Sequence, residues 1–270
     1  MRFLFVLSVL AAALGASPAR SAESVRIAYV QPDNPDHETV FKILKEKRPL
    51  ETLQGLLSAF RLPKTLVLQL KGCKGVPNAW YEDNTVTVCY EFVADVLARA
   101  PQETTPDGIT REDAIVGLIA AVALHETGHA LFDLLDVPIF GREEDAADQF
   151  AAYILLQLRQ EDAARMIGGV THMFWTQAAL QTMGQDAFSS GHGLLVQRVF
   201  NLVCMTYGSD PKYFAGLVDK GSLPKTRAQG CEAEYAQAAH AMTALIGSHI
   251  GPAGRAKFRS ALKRFRLPTP

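Results

Sequence analysis

Two histidines four residues apart, with a glutamate directly after the first, stand in the stretch His125-Glu126-Thr127-Gly128-His129. On a helix, residues at that spacing share a face, so the two imidazoles can hold one metal ion. Glu126 lies one position round, where its carboxylate can take a proton from metal-bound water without being a ligand. Zinc would lower the pKa of that water from about 15.7 to about 7. The pair then needs one more protein ligand and an open position. The bland alternative is two core histidines on an apolar helix. Without a metal, two buried imidazoles beside a carboxylate are costly to satisfy.

The third ligand is expected from the next helix. Glu144 lies 15 positions beyond His129, and it borders the stripe Ala147, Phe150, Ala151, Ile154, Leu155 and Leu158 that should face the core. Asp148, one turn further, can accept a hydrogen bond from the outer nitrogen of a ligand histidine and fix its tautomer. Glu143 is the rival ligand, because the stripe does not separate it cleanly from Glu144. For a developing oxyanion the first candidate donor is His192, in the loop Ser190-Gly191-His192-Gly193, with Tyr153, Tyr207 and Arg198 as weaker ones. His37, His172, His240 and His249 have no partner spacing and are assigned no role.

These residues need a scaffold. Strands are expected over 25–30, 66–70, 79–81 and 85–90. Helices are expected over 38–47, 50–60, 143–159, 170–183, 193–206, 211–219, 226–246 and 252–264. A long helix carrying the two histidines should open at Thr110 with Asp113 as a capping box and run to about Leu135. Strands first and helices after imply an α+β fold. Four cysteines allow three pairings. A hairpin turning at Glu82-Asp83-Asn84 would bring Cys73 beside Cys89, leaving Cys204 to join Cys231; a structural zinc site is the rival, but no C-x-x-C spacing supports it.

Composition narrows the rest. The chain has 270 residues, and its 27 basic against 28 acidic side chains leave no bulk charge to attract nucleic acid. Arg2 followed by the apolar run Phe3–Leu14 and small residues up to Ala22 reads as a signal peptide over 1–22. A single domain over 23–270 should then be secreted or periplasmic. No other stretch reads as apolar enough to cross a membrane, so no stable membrane insertion is expected after cleavage.

The motif set resembles a zincin metallopeptidase of the gluzincin type, in which a glutamate on a second helix completes the site. Glu144-x-x-x-Asp148 resembles the E-x-x-A-D signature of membrane and periplasmic zincins. The mature chain is also similar to an uncharacterised family of exported bacterial proteins regarded as metallopeptidases. That likeness rests on the HExxH helix, Asn78-Ala79-Trp80-Tyr81, Cys89-Tyr90-Glu91, His192 with Gln197-Arg198, and Cys204-x-x-Tyr207-Gly208. It implies a zincin-like fold with a small strand region and a substrate-edge hairpin before a mostly helical remainder. It further implies Zn2+ on His125, His129 and Glu144, with Glu126 as general base. Asn78, Ala79 and Trp80 would form an edge strand that pairs with an extended peptide. The expected activity is that of a zinc metalloendopeptidase on peptide or protein substrates. The alternative is a metal-holding, peptide-binding module without turnover. A metzincin is disfavoured, since Asp136 stands where its third histidine would be.

Overall fold

The computed structural model describes residues 24–265; the expected signal segment 1–22 lies outside them. Four strands, β1 (Val25–Tyr29), β2 (Leu66–Lys71), β3 (Ala79–Glu82) and β4 (Thr85–Cys89), form one mixed sheet in the order β1-β2-β4-β3. β1 and β4 each run parallel to β2. Parallel pairing requires a crossover, supplied between β1 and β2 by α1 (Glu38–Lys47) and α2 (Pro49–Leu57). β3 is antiparallel to β4 and forms the sheet edge. Asp83 and Asn84, the two turn residues between them, have φ of 48° and 59°. Positive φ at both places marks the tight hairpin turn whose twist suits an antiparallel pair, and Asp and Asn tolerate it.

The sheet is buried by alternation. Leu66, Leu68 and Leu70 of β2 point into the core, whereas β4 is covered on both faces from Val86 to Cys89. The following residues tie the edge down. The Tyr90 phenol donates to the Val30 and Leu70 carbonyls at 2.6 and 3.0 Å. The Glu91 carboxylate accepts the Cys73 and Gly75 amides, each at 2.9 Å, and so holds the loop that leads to β3. Cys73 is disulfide-bonded to Cys89, and Cys204 to Cys231. With partners 16 and 27 positions apart in the sequence, each bridge contributes about 3 kcal/mol in the loop-entropy picture.

The rest of the described chain is helical: α3 (Tyr90–Arg99), α4 (Arg111–Leu134), α5 (Glu143–Leu155), α6 (Gln160–Ala178), α7 (Gln185–Ser189), α8 (Leu195–Ser209), α9 (Gly216–Asp219), α10 (Lys225–Ala228), α11 (Cys231–Ala241) and α12 (Pro252–Arg264). The α+β expectation is met. α4 opens on the expected capping box: the Asp113 amide donates to Thr110 Oγ1, and the Thr110 amide to Asp113 Oδ2, both at 3.1 Å. By length and composition α4 is also apolar enough to cross a membrane, contrary to the sequence reading. Half of its apolar window is buried inside the fold, against α5 and α6.

Other expectations shift: the helix expected over 211–219 is confined to Gly216–Asp219, and that expected over 226–246 is broken between Ala228 and Cys231. The helix expected over 170–183 begins ten residues earlier, at Gln160, because Gly168-Gly169 is a crossing point and not a break. A Cβ on Gly169 would come 2.0 Å from the Asp113 carbonyl oxygen of α4. α3 was not anticipated, since its residues continue directly from β4. Gly128, between the two histidines, gives α4 the same freedom against α5: a Cβ there would meet the Ala147 Cα and the Phe150 ring at 3.3 Å. Phe132 and Phe150 seal that contact edge-to-face at 6.3 Å, each contributing roughly 1.5–3 kcal/mol by burial.

Candidate metal centre

α4 and α5 bring three donor atoms to one point. His125 Nε2 lies 3.2 Å from His129 Nε2, and Glu144 Oε2 lies 3.1 and 3.5 Å from those two nitrogens. Ligand atoms about 2.0–2.1 Å from a tetrahedral zinc sit about 3.3 Å apart, so the trio fits such an ion without rearrangement. Among the described residues the only other such group is Cys73, Cys89 and Glu91, whose cysteines are joined in a disulfide.

Each histidine is held from behind. His125 Nδ1 faces Asp148 Oδ1 at 2.9 Å, and His129 Nδ1 faces Glu143 Oε1 at 2.6 Å. The two glutamates that the helical stripe left ambiguous thus differ in place: Glu144 reaches the inner nitrogens and Glu143 an outer one. Arg198 of α8 grips Asp148 with two N–H groups, both at 2.7 Å, and lies over the Phe174 ring at 4.7 Å.

The charges follow this wiring. Burial opposes protonation of His125, but the Asp148 and Glu144 bonds outweigh it and raise its pKa to about 9. The His125 bond in turn lowers Glu144 to about 2. Asp148 is buried, which alone would raise it; His125 and Arg198 together drive it well below the ordinary carboxylate range. Glu126 moves the other way, pushed up by burial and only partly countered by the two histidines.

A cavity of about 830 Å³ opens over these groups. Asn78, Ala79 and Trp80 line one wall, with Lys71 Nζ 5.3 Å over the Trp80 ring. His192 also lines the cavity, its Nε2 2.7 Å from Glu144 Oε2 and its ring stacked on His125 at 5.9 Å. Burial lowers the His192 pKa. The weaker oxyanion candidates are placed elsewhere or engaged: Tyr153 packs on Tyr235, Tyr207 on the Cys204–Cys231 cluster, and Arg198 holds Asp148.

Over residues 29–246 the sequence matches a family described as "Putative metallopeptidase". The chain belongs to this family. No curated protein and no solved structure matches it. For a metallopeptidase the metal group and the facing strand are the expected working parts. Tyr81 and Asp133 were missed from the sequence, although both bear on that strand. Tyr81 stands in the same Asn-Ala-aromatic-aromatic run, but its partner Asp133 is 52 residues away and no local pattern connects them.

Proposed function

We propose that this metallopeptidase is an exported zinc endopeptidase, with a signal peptide over 1–22 and a single domain over 23–270. The observation that carries the reading is the convergence of His125 Nε2, His129 Nε2 and Glu144 Oε2 at mutual distances of 3.1–3.5 Å beside Glu126. Zinc held by those three atoms would act as a Lewis acid on the scissile carbonyl and lower the pKa of water. Glu126 accepts a proton from the attacking water as its oxygen bonds to the carbonyl carbon, then returns it to the leaving nitrogen as the C–N bond breaks. His192 turns its Nε2–H from Glu144 to the developing oxyanion. The strand segment Asn78, Ala79 and Trp80 aligns an extended peptide along the sheet edge. Asp148 keeps His125 in the tautomer that leaves Nε2 free. Export is supported by the two disulfides, which form in oxidising compartments.

Elemental mass spectrometry of the purified mature chain should find about one zinc per molecule. Glu126→Gln should keep that zinc and lower peptide hydrolysis about 1000-fold. Zinc-free protein after reconstitution at neutral pH overturns the reading. Undiminished hydrolysis by Glu126→Gln removes the base, and zinc binding with no hydrolysis in either protein favours the peptide-binding module.

A further inference from the structure

The free edge of β3 differs from residue to residue. The Cys89 amide donates to the Asn78 carbonyl at 3.0 Å, so these two form a bonded pair of the antiparallel ladder. Bonded and non-bonded pairs alternate, and the register sets Ala79 against Val88, Trp80 against Thr87 and Tyr81 against Val86. Trp80 therefore turns its main-chain groups toward β4, as Asn78 does its carbonyl. Ala79 and Tyr81 turn theirs outward. Tyr81 and Glu126 both line the cavity.

Tyr81 also touches α4. Its phenol donates to Asp133 Oδ2 at 2.5 Å. Glu126 and Asp133 are seven residues apart, which puts them two turns apart on one face of the helix, about 10 Å along its axis. One strand residue is thus tied to the helix that carries the base, two turns from that base.

We propose that Tyr81 is a positioning residue: its phenol bond to Asp133 clamps the edge of β3 to α4, so that a peptide main chain pairs with Ala79 and the Tyr81 carbonyl in fixed register to Glu126. Asn78 and Trp80 then face a substrate through their side chains. The role rests on the metallopeptidase reading above and sharpens it, since it names which main-chain groups read the substrate.

Two probes separate the clamp from the metal. Acetohydroxamate can bind only the ion, whereas a dipeptidyl hydroxamate also lies along the strand. In the zinc-loaded full mature chain, Tyr81→Phe and Asp133→Ala should each weaken the dipeptidyl probe about tenfold, the scale of one charge-assisted hydrogen bond. The double variant should be no weaker than either single one, and acetohydroxamate affinity should stay unchanged. Unaltered binding of both probes in both variants overturns the clamp. So does a parallel loss of both probes, which marks a general structural role. If acetohydroxamate does not bind the zinc-loaded wild-type chain, the metallopeptidase reading itself fails and the clamp with it.

Discussion

The two walls of the cavity are built differently. On the α4–α5 wall every ligand candidate is bonded at least twice, and His125 is only 5% exposed. By contrast, residues 180–193, of which His192 lines the cavity, contain no buried side chain, and Leu180, Met183 and Phe188 are 81%, 58% and 65% exposed. This strap nevertheless delivers His192 to Glu144. A metal site must hold its donors within a few tenths of an ångström, which demands buried and mutually bonded side chains. A donor that meets a substrate only as charge develops gains from a wall able to adjust. On the proposed reading the α4–α5 wall keeps the metal and the base Glu126, and the strap supplies only the oxyanion donor His192.

Mutations can break that division. Glu144→Ala should abolish zinc retention in a metal-content assay, whereas Glu143→Ala should weaken it about tenfold by loosening His129; the reverse order would exchange their roles. His192→Ala should lower kcat about 100-fold with zinc content intact, as for the loss of an oxyanion donor. Loss of zinc from that variant would put the strap on the metal-holding side after all. Arg198→Met should weaken zinc affinity about 10-fold in a chelator competition, through Asp148 and His125, and leave the strap unaffected.

What the sequence disclosed follows the reach of each interaction. The His125–His129 pair and the Thr110 cap are set by neighbours within four residues, so spacing reveals them. The same holds for the tight turn at Asp83-Asn84. Glu143 and Glu144 are adjacent on one helix, and only the crossing at Gly128 and Ala147 decides which carboxylate enters. The start of α6 was not legible, because a glycine pair such as Gly168-Gly169, which weakens a helix in isolation, is here what lets α6 lie against α4. The bond between Tyr81 and Asp133, like that between Arg198 and Asp148, joins elements at least 50 residues apart. Such pairs exist only once the helices have packed.

The positions of the two disulfides have a consequence for covalent connectivity. Cys73–Cys89 closes a loop entirely before the strap, and Cys204–Cys231 closes another entirely after it. Neither spans residues 180–193. A single nick there would leave two polypeptides, each with its own bridge, held together by packing alone. On a denaturing gel they would part even without a reducing agent. His192 and Arg198 would then belong to one piece, or be divided at the cut, while His125, His129 and Glu144 stayed together on the other.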